Sequence, residues 1–87
     1  MIAGLKFSSQ AWLDYIHWQK NSPDIKRMID ELCLDIAKSP YEGKGYPQPL
    51  SYDLKYIWTR RINMVHRLVY QINGDRIEII QCRLNES

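Results

Sequence analysis

Arg60, Arg61, His66 and Arg67 stand close together in the chain, with no Asp or Glu between them. Lys55 lies just upstream, so residues 54–73 carry Lys55, Arg60, Arg61 and Arg67 and no carboxylate. The summed field of such a segment attracts an anion. Phosphate is the anion that suits arginine best, because a planar guanidinium can grip two oxygens and stays charged at any working pH. The same residues would serve equally as outward-facing arginines on a half-solvated sheet, and residue type alone does not choose between the two. His66 and Arg67 are neighbours on an expected strand, so they point to opposite faces. Only one of them can reach a site on the open face, and Arg67 is the better phosphate ligand. No Ser/His/Asp or Cys/His nucleophile pattern accompanies them. His17, beside Trp18 on an expected helix, reads as structural. Cys33 and Cys82 form no CxxC pair and fit reduced core residues, so neither a disulfide, a metal site nor a cofactor is expected.

Such side chains need a sheet to hold them. Ile2–Phe7 alternates enough to be a first strand. Ser8 or Ser9 can cap a helix running to about Asn21, with Trp12, Tyr15, Ile16 and Gln19 on one stripe and Trp18 beside it. Ser22-Pro23 restarts the chain as a second helix, since proline suits a first helical position whose N–H needs no partner. Ile25, Met28, Ile29, Leu32, Cys33 and Ile36 then repeat at helical spacing up to Lys38, and Ser39-Pro40 ends the run. The charges between, Asp24, Asp30, Glu31 and Asp35 against Lys26, Arg27 and Lys38, read as a mixed, solvated face. With almost no linker between them, the helices should form an antiparallel hairpin.

Tyr41–Pro49 reads as a loop, with Gly43 and Gly45 free to take positive φ. Lys44 gives it one cation to turn toward phosphate, but there is no GxxxxGK[ST] pattern of a nucleotide loop. Leu50–Tyr52 fits a short strand. Tyr56–Ile62 and Val65–Ile72 fit two longer ones joined by a tight turn. Leu68, Tyr70 and Ile72 share one face of the latter, and Arg67, Val69 and Gln71 the other. Asn73-Gly74 predicts a type I′ hairpin into a last strand, Arg76–Cys82, with Arg83–Ser87 as a tail. The order predicts an α+β fold, with an N-terminal strand and a helical hairpin on one face of a mostly antiparallel twisted sheet. The other face stays free for Arg67.

The 87 residues are expected to make one domain, 1–87, and 45% hydrophobic with 25% charged residues is a globular balance. No apolar run approaches the ~20 residues that span a bilayer, so no membrane association is expected. The N-terminus lacks the pattern of a signal peptide, so a cytoplasmic location is expected. A net charge of +2 says less than its concentration on residues 54–73.

Several stretches together resemble a known family: Trp12 with Asp14-Tyr15 and Trp18-Gln19, then Ser39-Pro40-Tyr41-Glu42-Gly43-Lys44-Gly45, Pro47-Gln48-Pro49-Leu50, Trp58-Thr59-Arg60-Arg61-Ile62 and His66-Arg67-Leu68-Val69-Tyr70. They are similar, in order and over nearly the whole chain, to the YoeB/Txe toxins within the RelE-like messenger-RNA interferases. The resemblance implies a microbial-ribonuclease-like fold and a toxin of a type II toxin–antitoxin system that enters the ribosomal A site and cleaves mRNA. There the ribose 2′-hydroxyl attacks the adjacent phosphate. A Glu in a Pro-Glu-Pro-Leu segment is the general base, the Arg of His-Arg-Leu-Val-Tyr stabilises the phosphorane, and a tail His is the general acid. Implied partners are the ribosome, mRNA and a cognate antitoxin of the YefM/Phd type, in a homodimer or a toxin–antitoxin hetero-oligomer. The antitoxin would supply a disordered segment that folds over the basic face.

Carried over by position, Arg67 matches the family arginine. The base position holds Gln48 and the acid position Asn85, and a neutral amide neither takes nor gives a proton at ordinary pH. Ser51 stands where a basic residue is usual, and the tail tyrosines are missing. Arg60, Arg61, Lys55, Lys44 and Arg83 are the expected RNA contacts, with Arg60 and Arg61 as phosphate-positioning or scaffold residues. Two readings stay open: a ribonuclease with altered acid–base groups, and a toxin-like protein that binds antitoxin or ribosome without cutting. A small interaction domain with no RNA role is a third.

Overall fold

The computed structural model describes residues 4–51 and 54–84, Leu54 and Lys55 as backbone only. A first strand, β1 (Gly4–Phe7), leads directly into Ser8. The Ser8 hydroxyl accepts the Ala11 N–H at 3.1 Å and so caps α1 (Ser9–Asn21). It also donates to the Ile80 carbonyl at 2.7 Å, which ties the start of the helix to the last strand. Ser22 alone links α1 to α2 (Pro23–Lys38), and Pro23 opens the second helix as expected. Ile29, Leu32 and Ile36 are fully buried, and each contributes roughly 1.5–3 kcal/mol of transfer free energy as an upper figure.

The buried stripe of α1 differs from the expected one. It is Ala11, Asp14 and Trp18, while Trp12 is 53% exposed and Gln19 faces water. Polar anchoring sets the rotation. Asp14 accepts from the Cys82 N–H (3.0 Å) and from Gln10 Nε2 (2.8 Å), and the Trp18 indole N–H donates to the Cys82 carbonyl (2.9 Å). Trp12 instead stacks on Tyr15, with ring centroids 5.8 Å apart.

Four further strands follow: β2 (Gln48–Ser51), β3 (Leu54–Arg61), β4 (Arg67–Asn73) and β5 (Arg76–Gln81). The sheet runs β1-β5-β4-β3-β2, with β1 parallel to β5 and the other neighbours antiparallel. Leu68, Tyr70 and Ile72 of β4 and Ile77 and Ile79 of β5 join the helices in one core, so the helices cover one face, as expected. No helix among the described residues is long and apolar enough to cross a membrane.

Several boundaries move. β2 starts at Gln48, inside the expected loop, because it is an edge strand and Pro49 there costs no ladder bond. Its expected end, Tyr52, lies outside the described residues. β3 begins at Leu54 and ends at Arg61, and β4 begins at Arg67, so the turn between them is wider than expected. The Ile62 N–H donates to the His66 carbonyl (2.9 Å), and Asn63 Oδ1 accepts from the N–H groups of Val65 (2.9 Å) and His66 (2.7 Å). At the last hairpin Asn73 still pairs with Arg76, and the positive φ falls on Gly74 (65°) alone. The loop is therefore Gly74-Asp75 with glycine first, the type II′ pattern rather than I′.

Candidate active site

Strand register decides which side chains share a face. Arg61 pairs with Arg67 across β3 and β4, and Thr59, two residues before Arg61, pairs with Val69 on one side and Gln48 on the other. Residues directly opposite, and those two apart along a strand, project to the same side. Gln48, Arg61 and Arg67 therefore lie on the face away from the helices, while Arg60 pairs with the buried Leu68 on the helix side. The expectation that Arg67 reaches the open face holds. Arg61 and Arg67 are both exposed, and neither has a carboxylate partner among the described residues. Like charges set directly opposite destabilise a sheet, so the pair makes physical sense where an anion comes between them.

Arg60 needs a correction. It was expected among the RNA contacts, but it is 0% exposed and every guanidinium N–H is spent inside the fold. Its Nε donates to the Tyr70 hydroxyl (3.2 Å). Nη1 donates to Asp35 Oδ2 (2.5 Å) and the Lys44 carbonyl (3.1 Å), and Nη2 to the carbonyls of Ser39 (2.5 Å) and Glu42 (3.0 Å). Tyr70 in turn donates to the Pro40 carbonyl at 2.6 Å. Arg60 is thus the post around which residues 39–44 are wound. Asp35 is corrected with it, since it meets Arg60 rather than standing on a solvated helix face. The Lys44 backbone N–H (2.9 Å), and then Arg60, hold its carboxyl below the ordinary aspartate value.

The wrap explains two glycines. Gly43 has φ +123°, and a Cβ there would sit 2.0 Å from Asp35 Oδ2; at Gly45, with φ +80°, it would sit 2.8 Å from the Arg61 carbonyl. The loop's close approach to β3 delivers Pro47-Gln48 into the sheet edge. A signal for part of this was available: Arg60 and Arg61 are adjacent on a strand, so one of them had to turn inward.

The remaining expected residues separate. Gln48 is exposed on β2, opposite Thr59. Lys44 is exposed, and its backbone is bound into the Arg60 wrap. Arg83 is half-buried just past β5. The side chain of Lys55 and all of Asn85 lie outside the described residues. His66 turns away from Arg67, as expected: its ring meets Trp18 edge-on at 4.7 Å, and its Nδ1 accepts the Leu84 N–H at 2.9 Å. With the two bonds from α1 to Cys82, this holds the chain that leads toward Asn85. Sequence reading missed that anchoring role for Asp14 and His66. His17 lies edge-on against Trp18. Both cysteines are free, and burial pushes the thiols of Cys33 and Cys82 up to about 12, so neither is a nucleophile at ordinary pH.

The face can therefore offer two guanidiniums to a phosphate, with an amide, Gln48, on the same side of the sheet. Residues 7–85 match the sequence profile of a YoeB-like toxin of bacterial type II toxin-antitoxin system. The chain is 43% identical over 79 residues to Toxin YoeB of Escherichia coli (strain K12), covering 91% of this chain and 94% of that one. A YoeB/ParE toxin from Agrobacterium tumefaciens superposes with a TM-score of 0.88 at 35% identity, covering 95% of this chain and 99% of the other. The heterotetrameric complex of YoeB-YefM toxin-antitoxin from Staphylococcus aureus contains a chain that matches with a TM-score of 0.85 at 36% identity, covering 94% and 95%. Scaffold, basic face and relatives agree, and the chain belongs to the YoeB-like toxins of bacterial type II toxin–antitoxin systems.

Proposed function

We propose that this toxin is an endoribonuclease that acts in the cytoplasm on messenger RNA in the ribosomal A site. The observation that carries it is the Arg61–Arg67 pair, two exposed guanidiniums set opposite each other on the open face, with no carboxylate partner among the described residues. The substrate's 2′-hydroxyl attacks the adjacent phosphorus, the P–O5′ bond breaks, and the products carry a 2′,3′-cyclic phosphate and a 5′-hydroxyl. Arg67 neutralises the charge that builds on the phosphorane oxygens, and Arg61 positions the phosphate.

Gln48 orients the 2′-hydroxyl through its carbonyl oxygen but cannot take the proton, and Asn85 cannot supply one to the leaving 5′-oxygen. Water and the ribosomal surroundings then carry both protons. Each missing acid or base lowers the rate by about 10²–10⁴-fold against a Glu/His pair. The partner is an antitoxin of the YefM type, as in the Staphylococcus aureus relative, held in a toxin–antitoxin hetero-oligomer or released from it as a homodimer.

The test is induced expression without antitoxin, with primer extension on ribosome-bound message. Cuts within the A-site codon that vanish in Arg67→Ala support the enzyme. Harmless expression with no cut leaves a toxin-like binding protein. A Gln48→Glu/Asn85→His double variant that then becomes toxic would show that docking survives.

A further inference from the structure

Tyr46 is the one non-glycine residue with positive φ among the described residues, at 54°. A bulky side chain in that region is an outlier that costs stability and persists only where its surroundings enforce it. Its surroundings do so. The Arg61 N–H donates to the Gly45 carbonyl at 2.6 Å, and Gly45 lies too close to β3 to carry a side chain. The strained residue contributes almost nothing to the core, for it is 76% exposed. What the ring does meet is Arg61, whose guanidinium carbon lies 5.3 Å from the ring centroid. Two residues on, Gln48 enters the sheet on the arginine face. The chain thus fixes the backbone that presents an aromatic ring to water, beside one of the two cations suited to phosphate.

We propose that Tyr46 and Arg61 form a stacking shelf for a nucleobase of the RNA, next to the phosphate held by Arg67; this rests on the ribonuclease reading above. An exposed aromatic ring with an arginine beside it takes the face of any base, and such stacking is worth roughly 5- to 150-fold in affinity per base. The shelf therefore adds grip and orientation without reading sequence. Stacking on the Tyr46 ring itself neutralises no phosphate, so loss of the ring should leave the salt slope of binding unchanged.

The test uses ribosomes programmed with an mRNA that carries 2′-deoxyribose at the A-site codon, so that nothing is cut, and 2-aminopurine at each position of that codon in turn. Binding of the whole protein is followed by titration, and stacking by quenching of the 2-aminopurine. Tyr46→Phe keeps the ring, whereas Tyr46→Asn removes it with a residue that tolerates positive φ. The expected result is quenching at one position by wild type and Tyr46→Phe, lost in Tyr46→Asn together with a 5- to 150-fold weaker affinity and no drop in thermal midpoint. Wild-type affinity in Tyr46→Asn, or unchanged quenching, overturns the shelf while leaving the nuclease intact. Equal losses in Tyr46→Phe and Tyr46→Asn overturn stacking in favour of a hydroxyl contact. A wild-type protein that neither binds these ribosomes nor cuts the all-ribose message overturns the ribonuclease reading, and the shelf with it.

Discussion

Arg60→Ala separates the buried structural arginine from the exposed ones proposed to hold RNA. The substitution removes five donors at once, leaving the carbonyls of Ser39, Glu42 and Lys44, the Tyr70 hydroxyl and the Asp35 carboxylate to find other partners. Glu42 and Lys44 lie in an exposed loop and can turn to water, and Asp35 retains 24% side-chain exposure, so the losses do not simply add. Removing one partner of a buried ion pair costs about 3–5 kcal/mol. For a chain of this length total stability is roughly 4–13 kcal/mol, so the substitution takes from about a quarter of it to nearly all. The thermal midpoint should fall by about 12–40 °C. Urea denaturation measures the loss, and RNA binding against salt, taken at a temperature where the variant is folded, measures the rest. A phosphate contact contributes a slope of about 0.7 in log affinity against log salt on single-stranded RNA. Arg67→Ala should lose that slope and Arg60→Ala should keep it. A variant at Arg60 that unfolds within ~1 kcal/mol of wild type, or that loses the salt slope as Arg67→Ala does, would refute this reasoning.

Gly43→Ala should destabilise by roughly 1–3 kcal/mol, because the methyl meets Asp35 and φ is +123°. Gly74→Ala, with nothing within 4 Å, should cost only the backbone term of about 1 kcal/mol, and paired urea melts make the comparison. The Asp35 carboxyl is held below its ordinary value, so the unfolded chain binds that proton more readily. The stability from Asp35 is therefore complete above about pH 4 and is lost as pH falls through its lower folded value, and Asp35→Asn should flatten this acid limb in pH-dependent melts. Asp14→Ala leaves the buried Cys82 N–H without an acceptor and should cost about 1–3 kcal/mol, read from denaturant midpoints. The Cys82 thiol, buried and raised to about 12, should resist a disulfide reagent at pH 8 in the native protein and react at the rate of unfolding.

Much of the fold was legible because its signals are local. The 3.6-residue period of α2, the Ser8 cap, the Ser22-Pro23 restart and the alternation Leu68/Tyr70/Ile72 each depend on residues within a turn or a strand of one another. The same alternation put Arg67 on the open face. The residues that set the rotation of α1 were not legible, because Asp14 and Trp18 answer to Cys82, more than sixty positions away. Nor could local pattern show that Pro49 lies in a strand, which depends on that strand being the edge of the sheet. Two adjacent arginines on a strand already imply one inward and one outward side chain. Which way round they go depends on the register that sets Arg60 against Leu68, and on an acceptor ring gathered from Asp35, Ser39, Glu42, Lys44 and Tyr70. Sequence alone determined the class of fold, its relatives and the strand face on which Arg67 lies. Only the tertiary structure made Arg60 the post of the loop and Arg61 the partner of Tyr46, because a buried guanidinium is stable only where distant parts of the chain converge to satisfy every donor it carries.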